Sequence, residues 1–250
     1  MPRTVIVANW KMHKTVAQTR TFFDALLASV SEIPRHVDLV IAPPFTAISA
    51  AREILGRETR VALGAQNAHW ETHGAFTGEI AIPMLAEFGV RYLIVGHSER
   101  RIYFNETDAT VNLKVKAALA HGVVPIVAVG ESADERAAGA TDARVVAQTR
   151  AGLAGLDTDA TRRVVLAYEP IWAIGTGANC DPVEANRVMG VIRESIPALE
   201  DVSILYGGSV KPDNVAAYAA QPHVNGGLVG GASLDADRFA ELIEAASHHA

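Results

Sequence analysis

A single cysteine, Cys180, stands in a chain of 250 residues, so no intrachain disulfide can form. That usage agrees with a reducing compartment. Long apolar runs are missing too. The stretch 123–129 is typical, far short of the roughly 20 residues that a membrane helix needs. From Met1-Pro2-Arg3-Thr4 the chain passes through Val5-Ile6-Val7 directly to Asn9 and Lys11, without the apolar core and small-residue cleavage site of a signal peptide. Basic residues form no clustered stripe, and the formal net charge is −6. Neither nucleic acid nor an acidic membrane therefore has electrostatic support as a partner. A cytoplasmic protein is expected.

What the chain does have is the material of a core. Hydrophobic residues are 49% of it and charged residues 20%, a mix suited to a large buried interior. Short β-branched runs recur at 4–8, 38–42, 60–65, 92–95, 123–129, 163–168, 203–206 and 227–229. They are near-continuous rather than alternating, as expected for parallel strands covered on both faces. Between them lie segments with helical spacing. Phe22-Phe23, Leu26-Leu27 and Val30 mark one apolar face; Val111, Val115 and Leu119 mark a second, and Phe239, Leu242 and Ile243 a third. Eight strand–helix alternations imply a parallel sheet of the α/β class. An open doubly wound sheet would carry Gly-x-Gly-x-x-Gly after its first strand, and none is present there. The chain reads as a closed (β/α)₈ barrel, eight parallel strands surrounded by helices, for which about 250 residues is usual. No Pro/Ser-rich linker divides it, so residues 1–250 are expected to form one domain.

Active sites of such barrels form at the C-terminal ends of the strands. Asn9 and Lys11 follow the first strand, His97 and Glu99 the fourth, Glu169 the sixth, Ser209 the seventh, and Gly230-Gly231 the eighth. Taken alone, Glu169 is a strand-ending carboxylate before a proline turn. Directly after it comes Pro170-Ile171-Trp172-Ala173-Ile174-Gly175-Thr176-Gly177, an apolar tip with two glycines. Such a segment suits a lid that closes and expels water, and removing hydration makes a carboxylate a better base. His97 directly follows an apolar strand and opens a short helix, where the positive helix terminus favours neutral imidazole. Neutral imidazole can polarise a carbonyl and pass protons between two oxygens. Lys11 at a barrel mouth is a fixed cation for a phosphate and a developing enolate oxygen, with Asn9 donating beside it. Gly175-Thr176-Gly177, Gly207-Gly208-Ser209 and Gly230-Gly231 suggest a phosphate cradle of backbone N–H groups, to which a short helix near Gly231 would add its dipole. His69 and His73 are spaced i, i+4, but Gly74 and Thr77-Gly78 make that stretch a loop with no third ligand, so no metal site is expected. Arg100, Arg101 and Glu131 read as ion-pair formers on the rim, and Cys180 as packing.

The blocks Asn9-Trp10-Lys11-Met12, Val95-Gly96-His97-Ser98-Glu99-Arg100-Arg101, Tyr168-Glu169-Pro170-Ile171-Trp172, Tyr206-Gly207-Gly208-Ser209-Val210 and Gly230-Gly231-Ala232-Ser233-Leu234 together resemble the triosephosphate isomerase family over essentially the full length. That family is itself a standard worked case of pKa tuning and lid closure in TIM-barrel enzymes. The resemblance implies cofactor-free interconversion of dihydroxyacetone phosphate and D-glyceraldehyde 3-phosphate through an enediolate, in glycolysis and gluconeogenesis. It implies Glu169 as base, His97 as electrophile and shuttle, Lys11 as electrostatic partner and Asn9 as positioner. Gly175, Ser209, Gly230 and Gly231 would touch the phosphate, and Tyr206 and Ser209 would hold the lid shut. A homodimer is implied as well, through the loop after strand 3, with Gln66-Asn67 and residues 74–79 resembling that loop and Phe76 and Thr77 near its tip. Departures from the usual pattern are Ala128 for a cysteine, Asn105 for a glycine, and the hinge Ala178-Asn179-Cys180. Two other readings stay open: a related barrel acting on four-carbon ketose phosphates, and a barrel that only binds phosphate ligands.

Overall fold

Eight short strands follow one another around the molecule: β1 (Thr4–Asn9), β2 (Val37–Ala42), β3 (Val61–Ala65), β4 (Val90–Val95), β5 (Val124–Val129), β6 (Val165–Tyr168), β7 (Ile204–Tyr206) and β8 (Gly226–Val229). Neighbours pair in parallel in chain order, and β8 returns to β1, so the sheet closes. The computed structural model describes residues 2–30, 32–56, 60–174 and 179–247. Each strand end lies within two residues of its expected position.

The continuous apolar runs are explained by burial on both faces. In β1, Val5 and Val7 point into the barrel with Val40, Ile94, Ile126 and Leu205. Ile6 and Ala8 point outward, where Phe22, Phe23 and Leu26 of the helix Val16–Ser29 cover them. Burying each large apolar side chain is worth about 1.5–3 kcal/mol. Trp10, fully buried, extends this outer layer past the end of β1 by packing edge-on against Phe22 at 4.8 Å. Several helices start where local chemistry directs. Thr15 with Gln18, Thr107 with Thr110, and Ser132 with Glu135 form reciprocal caps that satisfy otherwise orphaned N–H groups. No helix among the described residues is long and apolar enough to cross a membrane.

One buried polar knot fixes the turn after β4. Gly96 adopts φ +72°, open to glycine at little cost, and a Cβ there would meet an Arg101 nitrogen at 2.8 Å. Its N–H donates to Glu106 Oε1 at 2.6 Å, while its carbonyl accepts from Arg101 Nε at 2.7 Å. Glu106 Oε2 also receives Lys114 Nζ at 2.7 Å and Arg100 Nε at 2.8 Å, and Lys114 reaches Asn67 Oδ1 at 2.7 Å. Burial alone would raise the Glu106 carboxyl, but Lys114, Arg100 and the Gly96 N–H outweigh it and hold it below the usual carboxylate range. The rim arginines thus pair as expected, Arg101 also engaging Asp108. Asn105 sits at φ +53°, a left-handed conformation that asparagine tolerates better than most residues.

Because the folded-state value of Glu106 is depressed, its contribution is complete above its unfolded value of about 4.3. It is lost as pH falls through the lower folded value. Glu106→Gln leaves Lys114 charged and unpaired in a buried place. The expected cost is about 3–5 kcal/mol, read as a lower urea midpoint. A loss below about 1 kcal/mol would show that the knot is not a structural support.

Candidate active site

At the C-terminal ends of the strands lies a cavity of about 310 Å³, into which Asn9, Lys11, His97, Glu169, Ser209, Gly230 and Gly231 all project. Of the residues expected there, Gly175, Thr176 and Gly177 lie outside the described residues. Asn9, Lys11, His97, Glu169, Ser209, Gly230 and Gly231 share the mouth as expected, whereas Glu99 does not line the cavity and instead pairs with Lys11. The expected helix near Gly231 is instead a single 3₁₀ turn, Gly231–Ser233, too short to add more than a fragment of a helix dipole.

Glu169 extends β6 and is only 2% exposed. Its backbone N–H donates to Val129 O at 2.8 Å. Carboxylate Oε2 accepts the Ser98 N–H at 2.8 Å, at the start of the helix Ser98–Tyr103. The other oxygen, Oε1, is 3.2 Å from His97 Nε2 but is not aligned with it as a hydrogen bond, and among the described residues it has no other partner. A buried carboxylate oxygen left in this state is costly and open to a proton donor. Two glycines make room for the residue. A Cβ at Gly130 would fall 1.7 Å from Glu169 O, and one at Gly207 would fall 2.8 Å from Glu169 Cγ.

His97 caps the Ser98–Tyr103 helix through its ring: Nδ1 accepts the Glu99 N–H at 3.2 Å. That acceptor role puts the ring proton on Nε2, the nitrogen facing Glu169 and the cavity. Lys11 is left-handed at φ +50°, and its N–H donates to Asn9 Oδ1 at 3.1 Å. This short loop turns the Lys11 side chain to Glu99, with Nζ 2.6 Å from Oε1, and past Gly230, where a Cβ would fall 3.5 Å from Lys11 Cε.

Several supports are not legible in the sequence as such. Gln66, expected in a partner loop, donates to the carbonyls of Lys11 and Ala42, each at 2.9 Å. Glu131, expected as a rim ion-pair former, is fully buried. It pairs with Arg136 only at 3.5 Å and accepts Trp172 Nε1 at 2.8 Å and the Tyr168 hydroxyl at 3.1 Å. It thereby ties the 3₁₀ turn Ile171–Ala173 to β6. Burial, and then the negative charge of Glu131, push the Tyr168 phenol well above its ordinary value. Tyr206 is buried and its hydroxyl accepts the Cys180 N–H at 3.3 Å. Burial pushes the Cys180 thiol up to about 11, in keeping with a packing role. His69 stacks on Trp70 at 4.1 Å and its Nδ1 accepts the Glu71 N–H, a loop contact as expected. Lys211 and Arg238 also line the cavity; the only sequence signal for Lys211 is its place two residues beyond Ser209.

A closed (β/α)₈ barrel with its ionisable side chains gathered at the C-terminal mouth has the architecture of a barrel enzyme. The profile of the triosephosphate isomerase family matches residues 4–246, and the chain belongs to that family. It is similar to proteins named triosephosphate isomerase from Picosynechococcus sp., 52% identical over 97% of this chain and 99% of the relative, and from Acaryochloris marina, 51% identical over the same shares. A third such relative, from Nostoc punctiforme, is 49% identical over 97% of this chain and 98% of its own.

The crowding at Gly207 can be tested. Gly207→Ala should displace the Glu169 side chain and lower isomerase kcat by about 10²-fold, the usual scale for an ångström of misplacement, with the circular dichroism spectrum unchanged. Wild-type kcat in that variant would show that the carboxylate is not held by this contact.

Proposed function

We propose that this chain interconverts dihydroxyacetone phosphate and D-glyceraldehyde 3-phosphate without a cofactor, in glycolysis and gluconeogenesis, and that Glu169 moves the proton. The observation carrying this reading is a buried carboxylate with one oxygen unpartnered among the described residues, in the same cavity as the side chains of a histidine and a lysine. Glu169 takes a proton from the carbon next to the carbonyl, leaving the electron pair in an enediolate. His97 Nε2–H donates to the carbonyl oxygen as its charge grows and recovers a proton from the neighbouring hydroxyl. Glu169 then returns its proton to the adjacent carbon, so the exchange balances with no redox partner. Lys11 and Asn9 stabilise the developing negative charge. The phosphate rests on Gly175, Ser209, Gly230 and Gly231. Residues 170–177 act as the lid, kept closed with the help of Tyr206 and Ser209.

The chain works as one domain in the cytoplasm, with no nucleic-acid or membrane partner. It pairs with a second copy through the loop after β3 and its residues Phe76 and Thr77. Supporting the pairing, Phe76 is 44% exposed although its ring touches His69, and Met12, Tyr103 and Phe104 are more exposed still.

Glu169→Gln should lower kcat by about 10²–10⁴-fold in a coupled assay on glyceraldehyde 3-phosphate, with KM little changed. A near-normal kcat would remove Glu169 from the role of base.

A further inference from the structure

Two cations in the cavity wall have no part in the machinery described so far. Lys211 follows the turn Gly207-Gly208-Ser209 after β7, and Arg238 lies in the first turn of the helix Ala236–Ser247. Both line the cavity that also contains Lys11, Ser209, Gly230 and Gly231. Among the described residues neither side chain makes an ion pair or hydrogen bond, although the acids beside Arg238 could have supplied one. Asp235 Oδ1 instead accepts the backbone N–H of Arg238 at 2.9 Å, and Asp237 Oδ1 accepts the Ser29 hydroxyl at 3.4 Å.

Lys11, the other lysine of the cavity wall, is engaged, and so is Lys14 near it in the chain. Lys11 Nζ is 2.6 Å from Glu99 Oε1, and Lys14 Nζ is 2.6 Å from Leu234 O. The backbone of Lys211 is fixed, its N–H donating to Asn214 Oδ1 at 2.8 Å, so only its charged end is uncommitted.

Uncompensated like charges around a concave site raise the local potential for anions. The glycine turns at this end of the cavity offer N–H groups that carry partial charge, whereas a phosphate monoester at neutral pH carries nearly two full negative charges. A guanidinium adds a fork that matches two phosphoryl oxygens. We propose that Lys211 and Arg238 form an outer cationic rim of the phosphoryl subsite, which makes the cavity selective for dianionic organic phosphates over neutral sugars of the same carbon skeleton. The proposal rests on the isomerase reading for its substrate, but its charge chemistry is measurable without turnover.

The test uses Lys211→Ala, Arg238→Ala and the double variant of the full chain, folded by circular dichroism. Three quantities are read: KM and kcat for glyceraldehyde 3-phosphate, the ratio of kcat/KM for that substrate to kcat/KM for unphosphorylated glyceraldehyde, and the affinity for inorganic phosphate by calorimetry. Each single change should weaken phosphate binding about two- to five-fold, the range of exposed charge pairs, and the double change about ten-fold. The loss should fall on KM more than on kcat, lower the ratio between the two substrates, and shrink as salt is raised. Unchanged phosphate affinity in the double variant, or equal losses on both substrates, would overturn the rim. A wild-type chain that bound phosphate but isomerised nothing would overturn the isomerase reading instead, and the calorimetric comparison would still decide the rim.

Discussion

The structure turns on room for one carboxylate. Glu169 lies between the ends of β5 and β7, where glycines on both flanks leave space that a single Cβ would fill. From there one oxygen receives the Ser98 N–H, a bond of 2.8 Å joining the end of β6 to the helix that follows β4. That bond is short and buried because the turn after β4 is itself immobilised. Glu106 and Arg101 hold the two sides of the Gly96 peptide, and the same turn delivers the His97 ring. Carboxylate and imidazole are thus positioned by one continuous set of buried polar contacts, which leaves Glu169 Oε1 without a hydrogen-bond partner among the described residues.

Charge is distributed unevenly around that pair. Glu99 offsets Lys11 at 2.6 Å, so the lysine is held in place. Farther out, Lys211 and Arg238 have no such counterion among the described residues. The proposed base therefore sits at the less positive side of a cavity whose other side suits an anion. A phosphorylated substrate would be oriented by this gradient before any chemistry begins.

Much of this is legible in the chain. Strands that are buried on both faces must be apolar throughout, so β1 and β5 declare themselves as short uninterrupted runs. The mouth residues Asn9, Lys11, His97 and Glu169 can be found because polar groups are conspicuous directly after such runs. The hidden features depend on closeness between distant segments. Nothing local to Gly207 or Gly130 shows that their missing side chains accommodate Glu169. Gln66 looks like part of an exposed loop because its partner, the Lys11 carbonyl, is 55 residues away. Glu131 looks like a rim charge because its burial comes from Trp172 and Tyr168 folding over it. The turn at Gly231 is easily over-read as a helix, since three residues of 3₁₀ geometry carry the same glycine signal as a helix start.

The central claim is that a carboxylate carries a proton between two adjacent carbons. It is tested most directly by letting the protein convert dihydroxyacetone phosphate in D₂O and tracking the product by NMR. The account predicts solvent deuterium on the carbon next to the carbonyl, in one stereochemical position, because a proton held on Glu169 can exchange before it is returned. Product formed with no deuterium at that carbon, and at the same rate by Glu169→Gln as by the unaltered chain, would mean that hydrogen crosses directly between the carbons and that the carboxylate has no place in the reaction.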